Sequence, residues 1–197
     1  AIESFLQCPF QFFASKTLAL ETAPVDPADR LDIPLQGQVL HDVLAELSRN
    51  PRQDPRSVLD RLFDLYCQRE RLPQGCRREA VRLELERNLV MFLDRAVLPE
   101  GWRTEVEQRF DLDLGDVQIR GRIDRVDLDP ATGRAIVVDY KYSSPQTVGD
   151  TVKAHQEGRL VQGGLYLLAA EKCFGLNPAA MVYCGIRSEV SVQGWRQ

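Results

Sequence analysis

The sequence predicts an α/β fold: a mixed sheet flanked by helices, with a helical insertion ahead of the sheet. Three observations carry that expectation. From Trp102 to Tyr142 apolar and polar residues alternate with a period of two, interrupted at Gly115-Asp116 and again over residues 129–133, as in a three-strand meander. On either side of this stretch apolar residues recur at helical spacing, over Leu35 to Arg49 and over Leu160 to Phe174. A short apolar run, Met181 to Ile186, then supplies a fourth strand, so the order is helix, meander, helix, strand.

The chain opens on an aromatic-rich helical pattern, Ser4 to Lys16, containing Phe5, Phe10, Phe12 and Phe13; Ser4 is a candidate cap and Pro9 a break or kink. Residues 21–34 carry Pro24, Pro27 and Pro34 among acidic residues and read as an irregular connector. In the helix from Leu35, the stripe Leu40, Val43, Leu44 and Leu47 is apolar, while Gly37, His41, Ala45 and Ser48 form a face of small residues around one imidazole. Such a face lets the helix approach another element closely. Residues 56–72 and 77–97 read as two further helices separated by Pro73-Gln74-Gly75, and residues 50–100 as a whole are the helical insertion. Their charges are mixed in sign and read as a solvated face. In the first strand Val106, Phe110, Leu112 and Leu114 alternate with polar residues, which leaves Glu107 on an exposed face. Val117 to Leu128 and Ala135 to Tyr142 are the second and third strands, and a loop with Pro145 and Gly149 leads to the last helix.

With 197 residues, 44% of them hydrophobic, the chain reads as a single domain over residues 1–197 with enough apolar surface for a proper core. About residues 1–34 form its N-terminal helix and connector. It starts at Ala1 already inside a helical pattern and stops at Gln197 just after a predicted strand, as expected of a domain excised from a longer protein. No apolar run approaches the length of a membrane span and no signal peptide pattern is present. Five scattered cysteines, none in a CxxC pair, point to a reducing compartment, and with the missing membrane segment to a cytoplasmic location. The net charge of −4 does not advertise nucleic acid, although a local field can differ from the total.

The third strand carries the chemistry. Ile136-Val137-Val138 is a β-branched run, and beyond it Asp139 and Lys141 point to the same face, roughly 6–7 Å apart along the strand. A carboxylate and an ammonium at the end of an apolar run are costly to bury without partners, and a metal ion and a phosphate would be such partners. Asp124 stands fifteen residues earlier, in the middle of the preceding strand. Two aspartates on adjacent strands with a lysine beside them can hold a divalent cation and face a phosphodiester. The plainer reading is a cross-strand ion pair, with Asp124 bound to Arg122 or Arg125, and Asp-x-Lys alone favours it. His41 alone reads as a packed or surface residue, and Gln162 and Tyr166, one helical turn apart, as ordinary helix residues or as a pair facing a cleft.

Taken together and in order, these residues resemble the PD-(D/E)XK nuclease superfamily. The resemblance rests on Gly37-Gln38-Val39-Leu40-His41, Gly121-Arg122-Ile123-Asp124-Arg125-Val126-Asp127, Val138-Asp139-Tyr140-Lys141 and Gln162-x-x-x-Tyr166. The nearest branch is the RecB/AddB-type nuclease domain, related to the CRISPR-associated adaptation exonucleases, and Cys8-Pro9-Phe10 with its flanking aromatics is similar to the start of the AddB-type domain. The resemblance implies a restriction-endonuclease-like αβββαβ core and a metal-dependent DNA nuclease. By motif position it implies His41, Asp124 and Asp139 as ligands of Mg²⁺ or Mn²⁺, and Lys141 as the catalytic lysine beside Asp124 and Asp139. It also implies Gln162 and Tyr166 as substrate-binding residues on the helix after the sheet. The implied setting is an exonuclease acting on single-stranded DNA fed by a helicase subunit, or by a helicase domain of the same chain, in double-strand-break repair and recombination.

Two alternatives stand beside that reading: a nuclease fold without activity that binds DNA or a helicase partner, and a purely structural α/β domain. Many AddB-type domains also bind an iron–sulfur cluster through a cysteine at the Cys8 position and three close cysteines beyond the last strand. That trio is missing here, and Cys173 and Cys184 have the wrong spacing, so no cluster is expected in this chain and Cys8 is expected to be a small buried hydrophobe.

Overall fold

A computed structural model describes residues 2–20, 30–95, 98 and 100–196. The chain opens on α1 (Ile2–Gln7) and α2 (Pro9–Phe12), followed by a wider helical turn over Phe13–Thr17. Ser4 lies inside α1 instead of capping it, and Pro9 breaks the expected helix in two by starting α2 at its first turn. Most of the expected connector, residues 21–29, lies outside the described residues. Asp32 then caps α3 (Ile33–Arg49), its carboxylate accepting from Leu35 N at 3.0 Å, and Pro34 sits where its missing N–H is harmless. The insertion is the pair α4 (Pro55–Arg69) and α5 (Cys76–Arg95), joined by surface ion pairs such as Arg82–Asp60 and Arg78–Asp64.

The sheet contains β1 (Arg103–Asp113), β2 (Gln118–Leu128), β3 (Arg134–Lys141), β4 (Asn177–Gly185) and β5 (Ser191–Arg196), in that spatial order. All neighbours are antiparallel except β3 and β4, which are parallel, so the sheet is mixed, as expected. The crossover between β3 and β4 contains two helices, α6 (Pro145–Gln156) and α7 (Gln162–Lys172). Only the second was expected. Pro145 and Gly149 suggested a loop, but Pro145 occupies the first turn and Ser144 caps it, so the same residues start a helix. β5 was also not expected, and it covers the outer edge of β4.

Two cores flank the sheet. Val138, Tyr140 and Tyr142 pack with α3, α4 and α5 on one face. Ala135 and Val137 pack with Val148, Leu167, Ala169 and Ala170 on the other. Alternation along β3 therefore sends Asp139 and Lys141 to the α7 side. β2 changes phase: Ile123 and Val126 are three apart yet both enter the α6–α7 core. Asp124 stands at that change.

Candidate active site

Asp139 is 2% exposed at the end of β3, where the apolar run of the strand gives out. Its Oδ2 lies 2.7 Å from Lys141 Nζ. That contact is an ion pair by distance, but no donor is aimed at this oxygen with hydrogen-bond geometry. Gln162, at the start of α7, ties the pair together: its Nε2 donates to Asp139 Oδ1 at 3.2 Å, and its Oε1 accepts from Lys141 Nζ at 3.3 Å. The same Nε2 lies 2.9 Å from the Tyr166 hydroxyl one turn on. Lys141 also extends over the Tyr183 ring at 5.5 Å. Gln162 and Tyr166 thus face the strand residues as one hydrogen-bonded group.

On the other side of the sheet α3 comes close, as its small face predicts; a Cβ added at Gly37 would sit 3.4 Å from Tyr142 Cβ. This brings His41 to the strand ends. Its Nε2 is 2.9 Å from Tyr140 O and its Nδ1 is 3.4 Å from Asp124 Oδ2, while that same carboxylate oxygen accepts from Tyr140 N at 3.0 Å. The arginines that could have neutralised Asp124 are occupied elsewhere: Arg122 pairs with Glu107, and Arg125 with Asp127 at 2.7 Å. The simple cross-strand ion pair is therefore not what forms. An open cleft of about 620 Å³ reaches His41 and Lys141, lined also by Gly37, Gln38 and Arg122, with Asp124 and Asp139 buried behind them.

The electrostatics follow from burial. Loss of water pushes the Asp139 carboxyl up to about 6, helped by the Asp124 charge and opposed by Lys141 and His41. Burial works against the His41 imidazolium, but the hydrogen bond and charge of Asp124, with Asp139 behind it, outweigh that and hold its pKa above the usual histidine value. Glu107 is raised as well, first by burial and then by Asp124 and Asp42, with Arg122 opposing.

Glu107 departs from its expected exposed position. Its side chain is only 13% exposed, and its backbone is left-handed, with φ 57°. The β1–β2 ladder runs from Val106–Arg125 to Gln108–Ile123, so the intervening rung would set Glu107 against Asp124, and it is not formed. A non-glycine residue in that conformation is strained by roughly 1 kcal/mol or more. Period-two alternation cannot signal it, because the positive φ is what upsets the alternation.

A family model of the PD-(D/E)XK nuclease superfamily matches residues 1–194. The chain belongs to that superfamily. PD-(D/E)XK nucleases generally use Mg²⁺ or Mn²⁺. Among curated proteins this nuclease domain is similar to a subunit of the ATP-dependent helicase/deoxyribonuclease of Moorella thermoacetica, at 30% identity over 230 residues. The match covers 95% of this chain and 19% of that relative, so the chain spans about a fifth of the relative's length.

Among the described residues, no three His, Cys, Asp or Glu side chains are gathered closely enough as arranged to hold an ion. The donor set nonetheless fits one. Tyr140 O can only accept, so His41 Nε2 carries the proton toward it, and a neutral ring then turns the Nδ1 lone pair on a carboxylate oxygen 3.4 Å away. Two acceptors face to face need a proton or a cation between them. A histidine whose far nitrogen is fixed by a backbone carbonyl is also the usual arrangement of a metal ligand. The buried Asp139 Oδ2, with an ion-pair partner but no aligned donor, is a further available oxygen.

One other residue, Cys8, differs from expectation, and another, His155, carried none. Cys8 is half-buried and caps α2, its sulfur accepting from Gln11 N at 3.4 Å, so it has a polar role in place of a buried apolar one. His155 had no setting in the sequence. Its Nε2 stands 2.6 Å from the Tyr183 hydroxyl, and its ring stacks on that of Tyr183 and meets Trp195 at a tilt of 46°.

Proposed function

We propose that this chain is one divalent-metal-dependent DNA nuclease domain that hydrolyses phosphodiester bonds exonucleolytically. The observation that supports it most is the meeting of His41 and Asp124 on one side of the strand ends with Asp139 and Lys141 on the other. His41, Asp124 and Asp139 would hold Mg²⁺ or Mn²⁺; when bound, the ion supplies positive charge at the phosphate and lowers the pKa of water. The rest is done by the protein. Lys141 has a side chain 32% exposed and reaches from a buried carboxylate into the cleft, where its ammonium hydrogen-bonds a phosphate oxygen or the attacking water. Asp139 and Gln162 hold that ammonium in place. Hydrolysis joins the water oxygen to phosphorus, breaks one phosphorus–ester bond and returns a proton to the leaving oxygen. Gln162 and Tyr166 contact the nucleotide on the α7 side.

The similarity to part of a helicase/deoxyribonuclease supports a setting in which a helicase subunit, or a helicase domain of the same protein, feeds single strands of DNA to the cleft. The biological role that follows is cytoplasmic double-strand-break repair and recombination. No helix among the described residues is long and apolar enough to cross a membrane. The deciding experiment is Mn²⁺ calorimetry beside a cleavage assay on labelled single-stranded DNA. Wild type is expected to bind the ion and to shorten the strand from an end, and Asp139→Ala to lose both. A wild-type chain that binds Mn²⁺ and DNA but never cleaves would instead identify an inactive DNA-holding module.

A further inference from the structure

The helix that presents Gln162 to Asp139 and Lys141 begins badly by its own sequence. Its N-cap is Val161, which has no side-chain acceptor, and no side-chain cap comes from that position. Gln162 is followed by Gly163 and Gly164, so the first turn holds two of the weakest helix formers among ordinary residues. The amide hydrogens of such an end need a partner from elsewhere. The structure provides one from the far end of the chain: Glu3 Oε1, on α1, accepts from Val161 N and from Gln162 N, both at 3.0 Å. A carboxylate there also suits the positive end of the helix dipole.

We propose that Glu3 is a positioning residue for the nuclease site: the N-terminal arm caps α7 from a distance in sequence and so sets Gln162 between Lys141 and Asp139. The inference rests on the nuclease reading for its effect on rate, and on geometry alone for its effect on Gln162. One carboxylate oxygen accepts from Val161 N and from Gln162 N and so fixes the backbone on entry to Gln162. The side chain of the same residue holds both members of the Asp139–Lys141 pair. Release of the arm therefore loosens the lysine without removing any group from the cleft. The arm is itself one packed unit, with Phe5 and Phe12 edge-to-face at 5.5 Å, so Glu3 moves with α1 and α2. Catalysis is thereby coupled to where the arm sits.

The test compares Glu3→Ala and Glu3→Gln with wild type in this chain. Glu3→Ala is expected to lower kcat on the order of tenfold, with KM for DNA and Mn²⁺ affinity within about twofold of wild type, because only orientation is lost. Glu3→Gln keeps an acceptor oxygen and is expected to recover to within about threefold of wild type. A second readout needs no activity: in Glu3→Ala the Val161 and Gln162 backbone amides should exchange faster and the Gln162 side-chain amide resonances should shift, with circular dichroism unchanged. Wild-type kcat in Glu3→Ala, a Glu3→Gln variant as impaired as Glu3→Ala, or unchanged amides at 161 and 162 would each overturn the proposal. If wild type does not cleave, the nuclease reading fails by itself, and the amide and side-chain resonances still decide whether Glu3 positions Gln162.

Discussion

Lys141 and Asp139 share a strand face but not an environment: the carboxylate is buried and the ammonium reaches the cleft. Their roles therefore separate on mutation. Lys141→Ala is expected to keep Mn²⁺ binding and lose cleavage by on the order of 10²-fold or more, since in the proposed mechanism the ammonium acts on the transition state. Lys141→Arg should recover only part of that, because a planar guanidinium is larger and donates in a fixed fork. Wild-type cleavage by Lys141→Ala would make it a surface lysine. Asp139 adds a pH dependence of definite sign. Its folded pKa, about 6, lies above that of an ordinary aspartate, so the metal-free native state binds more protons than the unfolded chain between about pH 4 and 6. Stability without metal thus falls as pH rises through that window. His41, also raised, extends the fall to higher pH, with its contribution lost as pH passes its folded pKa. Asp139→Asn removes the buried charge, so its metal-free melting temperature relative to wild type should be higher at pH 8 than at pH 4; a constant difference across pH would contradict the assignment. The juxtaposition of these side chains was legible because a strand's alternation puts Asp139 and Lys141 together and a helical face of small residues brings in His41. Glu107 was not, because its conformation is set by the ladder defect opposite Asp124.

At the scale of elements, α3, the meander and α7 were visible in periodicity, while α6 and β5 were not. Pro145 and Gly149 carry the same propensities in a loop as in the first turns of a capped helix, and only the packing of Val148 and Val152 on the sheet decides. β5 is short and half-buried in alternation, and its pairing with β4 depends on Gly194, where any Cβ would meet Met181 O at 2.0 Å. The paired glycines of α7 are informative in the same way. A Cβ at Gly163 would come within 2.7 Å of Trp195 and 3.0 Å of the Tyr183 hydroxyl, whereas nothing stands near Gly164. Gly164→Ala is expected to stabilise the chain by about 0.5–1 kcal/mol and leave cleavage intact. Gly163→Val should push the start of α7 from the sheet, lower the melting temperature and lose activity through Gln162. Equal behaviour of the two variants in a melting series would contradict the close approach of α7 to β4 and β5.

At the scale of the whole molecule, the candidate ligands come from both sides of the sheet, with His41 on α3 packed in one core and Asp139 facing the other. An ion held there ties the two layers through the strand ends, so its binding free energy becomes stability of the entire fold. At a free Mn²⁺ concentration 100 times its Kd, the gain is about 2.7 kcal/mol, which for a chain of this size raises the melting temperature by roughly 5–10 °C. The gain should depend on pH with a sign opposite to that of the metal-free protein. At pH 5.5 Asp139, with its pKa of about 6, and the raised His41 hold protons that the ion must displace, whereas at pH 8 Asp139 has already lost its proton. Differential scanning fluorimetry with and without Mn²⁺ at the two pH values is therefore expected to show a large shift at pH 8 and a much smaller one at pH 5.5, abolished at both by Asp139→Asn. An equal shift at both pH values, or one that survives Asp139→Asn, would mean that the ion binds elsewhere and that the strand ends are not its site.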